Sequence, residues 1–423
     1  MTSVDNTPRY TATIDEVITT VVMARVTDFF GFFVYAIASA LVFPKLFFPM
    51  LDPLSGTLAS FGIFSLAFLA RPVASLAGRT LQYKIGRVGK VTLALFLLGT
   101  STVAIGLLPG YEKIGWLAPV FLAVLRILQG LGLGGAWDGL TLQLQNAAPE
   151  HRKGIYAMVP QLGGPIGFVV AASIFFVLKG FLTDEEFLKW GWRFAFFAVM
   201  AVNVVSLYAR VRLLNSDLGV DPEVTKSAPL KELVQNEGRT ILLCAFLPLA
   251  SYALFHMVTV FPLAFAAIYE RYEIPEVLTV QLIGGTLAIL TVIASGVLAD
   301  RYNRRTVIRI SSILIVILSL MIGTLAHYPY AFIISGFMVL GLAYGQASAI
   351  VPKRFPAQYR YSGSAMATNL SWIFGAAFAP LVGIGLTAAF GLWAAGLYLL
   401  SGAVVTFAAL HLLNKDDTPK FEN

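Results

Sequence analysis

The sequence contains little charge, cysteine or histidine. Of its 423 residues only 13% are Asp, Glu, Lys or Arg, and it has one cysteine, Cys244, and four histidines. One cysteine excludes an internal disulfide, and no Cys and His cluster has the spacing of a metal site. Neither His-x-x-Glu-His nor Gly-x-Ser-x-Gly occurs, which argues against an enzyme. The first 16 residues lack the basic stretch of a signal peptide, and we expect none.

Apolar residues dominate instead, at 57% of the chain, with a mean hydropathy of +0.77. Runs of about 20 apolar residues, the length that crosses a bilayer, recur throughout. We predict twelve transmembrane helices, at 17–42, 55–77, 89–109, 117–147, 155–178, 191–213, 239–268, 277–299, 306–326, 329–351, 361–387 and 391–413. The polar stretch 214–238 divides them six and six. The predicted fold is therefore an all-α integral membrane protein with two six-helix bundles, 1–213 and 239–423, joined by a cytoplasmic linker.

The basic residues indicate an orientation. If both termini are cytoplasmic, 21 of the 30 Lys and Arg, Arg210 among them, lie in loops on that side. Six, namely Lys45, Lys113, Lys179, Lys189, Arg193 and Arg271, lie on the opposite side. This bias predicts a multi-pass protein of the cytoplasmic (inner) membrane with both termini in the cytoplasm. It also explains the net charge of +7 without a nucleic-acid partner.

A faint repeat relates the two halves. "RTLQYKIGR" at 79–87 and "GVLADRYNR" at 296–304 both fall between helices, and their final arginines, Arg87 and Arg304, are 217 positions apart. The same offset relates Gln129 to Gln346. Two related halves are typical of secondary transporters.

At these loops the sequence resembles the Major Facilitator Superfamily, and within it the metabolite:proton symporter family. The resemblance rests on "GVLADRYNRR" at 296–305, "RILQGLGLGGAWDG" at 126–139, "PQLGGPIG" at 160–167 and "KRFPAQYRYSG" at 353–363. It implies alternating access through a cytoplasmic gate. The residues implied for that gate are Arg71, Arg87, Gly296, Asp300, Arg301 and Arg304.

Three positions depart from the family pattern. Arg25 stands where the family usually has an acid, Ala136 replaces a glutamate of the fourth helix, and Tyr83 replaces the aspartate of the first loop signature. The cavity therefore gains positive charge, and the gate contact of the first half is expected to be weaker.

Charged residues within the predicted helices point to the transport mechanism. A charge at the bilayer centre costs about 2.5–3.5 kcal/mol and usually faces a cavity or a partner. Asp28 in the first helix and Arg126 in the fourth both fall near the midplane, so we expect them to pair and to couple a proton to transport. A structural alternative is an i,i+3 pair between Arg25 and Asp28. Asp138 is a second candidate proton site, or a solvated structural residue.

Other polar and aromatic residues in the helices are candidates for substrate binding. Each has a structural alternative, because intramembrane amides, histidines and tryptophans also hold helices together. The predicted substrate-binding residues are Arg25, Tyr35, Arg126, Gln129, Gln161, Tyr252, His256, Gln346, Asn369 and Trp372.

Together these features predict a proton-coupled importer of a small organic anion, with no cofactor except the coupling proton and no metal. A betaine or other zwitterion is the alternative substrate. An exporter is a second alternative, although "GGPIGF" at 163–168 lacks the glycine pair of the antiporter element. A sensor that binds ligand without moving it also fits. We expect the chain to act as a monomer whose partners are its substrate and the bilayer.

Overall fold

The computed structural model describes residues 13–136, 140–214, 229–323, 327–347 and 349–415, and within these ranges the regular structure is helical. Asp138 and most of the predicted linker lie outside them. Eleven helices in the described ranges are long and apolar enough to cross a membrane. A twelfth, Arg304–Leu320, has 17 residues. The twelve-helix prediction is confirmed.

The helices follow the predicted order, six before and six after residues 215–228. In chain order α1 to α12 are Ile14–Leu41, Pro53–Ser75, Thr80–Leu107, Leu117–Gly135, Glu150–Phe181, Arg193–Leu214, Leu230–Tyr269, Ile274–Tyr302, Arg304–Leu320, Pro329–Arg354, Ala357–Phe390 and Leu392–Leu413. We call α1–α6 the first half and α7–α12 the second half. Helix α7 begins inside the predicted linker, where Tyr359 donates a hydrogen bond to Glu232 at 2.5 Å.

Two turns, a kink within the first part of α3 and the junction between α8 and α9, show the internal repeat in the backbone. Gly86 has φ of 74° and Asn303 has φ of 95°, and these two positions are related by the offset of 217 seen in the sequence. The Asn303 side chain accepts from the backbone N–H of Arg305 at 2.7 Å and so caps α9. The two halves thus turn at equivalent residues, and we call the end of the bundle that carries these turns the basic face.

Glycines let α4 approach the neighbouring helix α2 at backbone distance. A Cβ at Gly130 would overlap the carbonyl oxygen of Ala67, and one at Gly134 would overlap that of Arg71. Small residues at helix contacts allow this close packing in membranes. The contact holds the arginine of α4, Arg126, against α2, where its Nε donates to the Phe64 carbonyl at 3.2 Å.

We expect Gly130→Val to destabilise the protein by about 3 kcal/mol or more, because the added side chain meets backbone that cannot shift as a flexible side chain does. Gly180→Val is the control, since a Cβ there meets no atom of the described residues within 4 Å beyond its own stretch of helix, and it should change stability by less than about 0.5 kcal/mol. Thermal unfolding of the purified protein in detergent measures both. Equal melting temperatures for the two variants would contradict this account of the α2–α4 contact.

Candidate functional site

Aromatic rings from both halves meet at the centre of the molecule. Phe29 of α1 stacks on Phe255 of α7 with centroids 6.1 Å apart, and Tyr252 stacks on Trp372 at 4.2 Å. We call this the central cluster; it comprises Phe29, Phe32, Phe33, Phe64, Phe68, Tyr252, Phe255, Tyr344 and Trp372. Because first-half and second-half rings touch directly, the centre is closed in this structure.

Three guanidinium groups border the central cluster. Arg126 lies 4.9 Å from the ring centroid of Phe64 and 3.8 Å from that of Tyr35. Arg25 lies 5.2 Å from the centroid of Phe29, and Arg71 lies 5.9 Å from that of Trp372. Cation–π contacts of this kind hold a guanidinium against apolar surroundings. Arg71, which the resemblance assigned to the gate, thus lies beside the candidate substrate site, and its gate role stays a prediction.

Arg126 is 1% exposed yet only partly hydrogen-bonded. Its Nη1 donates to Gln129 at 3.0 Å, and Gln129 donates to Thr102 at 2.8 Å. Its Nη2 has no hydrogen-bond partner among the described residues. A buried unsatisfied donor on a cation costs free energy, so this nitrogen is suited to an incoming acceptor.

Asp28 pairs with Arg210 of α6, not with Arg126. Its Oδ1 accepts from Arg210 Nη2 at 2.7 Å, and its Oδ2 lies 3.9 Å from Arg25 Nη1. The predicted Asp28–Arg126 pair is thus wrong in its partner, although both side chains line a cavity of about 10 Å³ with Asn203. The i,i+3 contact with Arg25 is present, but it is the longer of the two.

Sequence reasoning missed Arg210 because it was counted among the loop charges. Helix α6 continues to Leu214, which leaves Arg210 inside the bundle and 2% exposed. A signal was available: Asn203, Ser206 and Arg210 recur at helical spacing, and all three are buried. Asn203, which has no hydrogen-bond partner for its amide among the described residues, was missed with it.

His256 lies inside the central cluster and is fully buried. Its ring is 5.5 Å from those of Phe32 and Phe64, and neither ring nitrogen has a hydrogen-bond partner in the described part of the chain. The structure therefore brings Tyr35, His256 and the cluster residues Tyr252 and Trp372 together, as a shared site requires.

The two halves also meet at the basic face, through Asp300 and Arg304. Asp300 accepts from the backbone N–H groups of Gly154 at 2.5 Å and Ile155 at 3.1 Å. Arg304 donates to the carbonyl of Lys153 in the first half at 3.0 Å. Gly296 allows the approach, since a Cβ there would lie 2.7 Å from Met158 Cγ. These contacts close the basic face.

Gln346 belongs to this closure and not to the central cluster. Its Oε1 accepts from Arg304 Nε at 3.1 Å, and its Nε2 donates to the Gly154 carbonyl at 3.1 Å. The expectation that Gln346 lines the substrate cavity is corrected, because the residue lies near the end of α10 that reaches the basic face.

The equivalent contact of the first half is built differently. Tyr83, which occupies the position equivalent to Asp300, is 73% exposed. Lys90 instead reaches the Tyr361 hydroxyl of the second half at 3.5 Å. Arg87 is half-buried beside Gly86, and Arg301 is exposed with its guanidinium 5.3 Å from the ring of its neighbour Tyr302.

The opposite face contains a cavity of about 490 Å³ between the halves. Lys45 and Lys179 line it from the first half, and Glu270 and Glu273 from the second. Lys179 also pairs with Asp184 and holds the pKa of that carboxyl below its usual range. The molecule is therefore shut at the basic face and open at the other.

Two predicted amides have separate locations. Gln161 lines a further cavity near the basic face. Asn369 is buried one turn before Trp372 on α11. The proton-coupling and substrate-binding roles of all these residues remain predictions.

The sequence is similar to that of several membrane transport proteins. The profile described as Major Facilitator Superfamily matches residues 29–373. The inner membrane metabolite transport protein YhjE of Escherichia coli is 36% identical over 98% of this chain and 98% of its own length. The shikimate transporter of E. coli is 30% identical over 92% of each chain. The proline/betaine transporter of E. coli is 27% identical over 84% of this chain and 74% of the transporter's own length.

Solved structures agree on the fold. The proton:xylose symporter XylE bound to 6-bromo-6-deoxy-D-glucose superimposes with a TM-score of 0.70 over 95% of both chains, at 16% identity. With its twelve helices in two halves, its closed and open faces, and a profile match over most of its length, the chain belongs to the Major Facilitator Superfamily and is a multi-pass secondary transporter, not an enzyme.

Proposed function

We propose that this transporter imports a small organic anion, a carboxylate, together with protons. The observation that supports it most is the charge around the central cluster: Arg25, Arg71 and Arg126 face it. Among the described residues, Asp28 is the one acid that contacts any of these arginines through an ion pair. An anion with an apolar body would satisfy Arg126 Nη2 while its body packs on the rings.

Proton coupling is assigned to the pair Asp28–Arg210. When Asp28 is ionised, its single negative charge lies 2.7 Å from Arg210 Nη2 and 3.9 Å from Arg25 Nη1 and offsets part of their positive charge. When Asp28 takes a proton, both arginines lose their counter-charge, and the site becomes more favourable to an anion. Proton and anion thus bind best together, which is the thermodynamic requirement for symport.

Import also needs an orientation, and we assign the basic face to the cytoplasm of the inner membrane, with both termini there. The excess of basic loop residues supports this, and the relative YhjE is an inner membrane protein. The structure would then be open to the outside through the cavity that Lys45, Lys179, Glu270 and Glu273 line. Breaking the contacts of Asp300 and Arg304 would release the substrate inward. We propose that a monomer suffices, with the proton as the only cofactor.

A zwitterion such as betaine is the second candidate, because the proline/betaine transporters are relatives at 27% identity. The rings of Tyr252 and Trp372 would suit its cation. Three arginines in the same site would repel that cation, so we place the anion first.

The test is uptake into proteoliposomes with an inward proton gradient. The panel contains shikimate, benzoate, malate, citrate and betaine. We expect one acid to accumulate above equilibrium, and Arg126→Gln to reduce its apparent affinity on the order of 10- to 100-fold, the loss of a hydrogen bond to a charged group. Arg193→Gln is the matched control, since Arg193 binds the carbonyls of Gly106 and Leu108, away from the central cluster. Accumulation of betaine alone would overturn the proposal in favour of the zwitterion.

A further inference from the structure

A second polar cavity lies between the central cluster and the basic face. Its volume is about 30 Å³, enough for a water molecule. The residues that line it come from both halves, among them Arg25 and Gln161 from the first and Tyr252, Ser364 and Thr368 from the second. Most of the lining side chains carry a hydroxyl, an amide or a charge, in a protein that is mainly apolar.

Ser364 is the side chain whose environment indicates a ligand. It is 2% exposed, and its hydroxyl has no hydrogen-bond partner among the described residues. Serines of membrane helices usually bond to a carbonyl of their own helix, as Ser371 on α11 does to Ala367 at 2.8 Å. Ser364 lines the cavity without such a bond, so its hydroxyl is available to a group bound there.

Arg25 connects this cavity to the central cluster. Its guanidinium lies 5.2 Å from the Phe29 centroid, and the same side chain lines the second cavity. Its Nε is buried and has no partner in the described ranges. An anion that leaves the central cluster can therefore stay in contact with Arg25.

The cavity also adjoins the contacts that close the basic face. Val351 and Pro352 line it, two and three residues after Ala349, whose carbonyl accepts from Arg304 Nη1 at 3.0 Å. Because the lining is divided between the halves, separating them at the basic face widens this cavity and opens it to solution.

We propose that this cavity is a second anion subsite, which holds the carboxylate of the substrate on Arg25, Ser364 and Thr368 as the basic face opens. The inference rests on the proposed function for the identity of the anion. The chemistry is a guanidinium that supplies charge and two hydroxyls that donate hydrogen bonds, a set suited to a carboxylate. The subsite lowers the barrier between binding at the centre and release.

The experiment compares thiol labelling at Ser364→Cys and Ser371→Cys in inside-out vesicles. The probes are an anionic sulfonatoethyl and a cationic trimethylammonioethyl methanethiosulfonate. The ratio of the two rates at one cysteine cancels the reactivity of that thiol. At Ser364→Cys we expect the ratio of the anionic to the cationic labelling rate to exceed the ratio for free cysteine by at least about fivefold. Adding Arg25→Gln should remove this preference. Ser371→Cys should stay unlabelled. The native Cys244 is fully buried and serves as background.

Equal rates for both reagents, a cationic preference, or no labelling at Ser364→Cys would each overturn the subsite. The labelling needs no transport, so the two proposals fail separately. An anionic labelling preference without transport of any acid in the panel would contradict the proposed function alone. Carboxylate transport without an anionic labelling preference would contradict the subsite alone.

Discussion

Asp28→Asn is expected to abolish proton-driven accumulation of the substrate while leaving exchange of substrate across the membrane. An amide keeps the shape and one hydrogen-bond acceptor for Arg210, now at 2.7 Å from the carboxylate, but it cannot take up a proton. The site then has the charge of the protonated state at every pH. Anion binding should persist, and its dependence on outside pH should disappear.

The measurement is a pair of assays on the same proteoliposomes. One follows uptake of the accumulated acid under an inward proton gradient, and the other follows exchange of labelled for unlabelled acid with equal pH on both sides. Wild type should concentrate substrate in the first assay, whereas the variant should only equilibrate it. If the variant still concentrates substrate, coupling lies elsewhere, with His256 or Asp138 as the next candidates.

Arg25→Gln and Arg210→Gln distinguish the two partners of Asp28 in the same assays. The Arg210 contact is 2.7 Å and the Arg25 contact 3.9 Å, and Arg210 is the more deeply buried arginine. Removing one partner of a buried pair leaves an uncompensated charge. We therefore attribute the stronger coupling defect to Arg210→Gln, and a larger defect in Arg25→Gln would reverse the assignment.

The fold could be predicted from the sequence because the bilayer limits the choice of structures. Each span must satisfy its own backbone hydrogen bonds, so a run of about 20 apolar residues specifies a helix with few alternatives. The sequence repeat at Arg87 and Arg304 predicted that the chain has two related halves. The structure agrees at this repeat, since Gly86 and Asn303 both have a positive φ. Helix ends were less predictable: α7 begins at Leu230, and its first turns are held by hydrogen bonds to Tyr359 at the start of α11.

The site was less predictable, because depth along a helix does not determine which helices are neighbours. Asp28 and Arg126 do share a cavity. Helix α6 nevertheless places Arg210 closer to Asp28, and hydropathy alone treats an arginine near a helix end as a loop residue. Gln346 was misplaced for a related reason: an amide within an apolar run indicates a buried polar site, but not which site. The structure uses one amide beside Arg126 and the other beside Arg304.

Gly154→Leu is expected to abolish transport by preventing closure of the basic face. A Cβ at Gly154 would lie 2.5 Å from the Gly296 carbonyl and 2.8 Å from Asp300 Oδ1. These are contacts between the two halves, so the leucine cannot be accommodated while the halves touch. Alternating access requires both closures in each cycle, and a transporter held open at one face binds substrate without moving it.

Two measurements separate this effect from misfolding. Spin labels at Glu150→Cys and Arg301→Cys, which are exposed residues of the first and second half at this face, should report a longer distance in Gly154→Leu than in the parent. Uptake should fall to background. Gly238→Leu is the control, because the nearest atom to a Cβ there is Val234 Cγ1 at 3.9 Å. Unchanged label distances with lost uptake would show that closure is not what the leucine prevents.

Asp300→Asn should give a graded version of the same shift. The asparagine can still accept from Gly154, but it loses the charge that strengthens both hydrogen bonds to Gly154 and Ile155, and bonds to a charged acceptor contribute about 1.5–3 kcal/mol. A loss of about 1.4 kcal/mol changes an equilibrium tenfold, so the open population rises without closure being forbidden. The distance distribution between the labels should then show both states, with uptake reduced and not abolished. If Asp300→Asn matched Gly154→Leu in both assays, the charge of the Asp300 carboxylate alone would hold the basic face closed. The close approach of Gly154 and Gly296 would then be a consequence of closure and not a requirement for it.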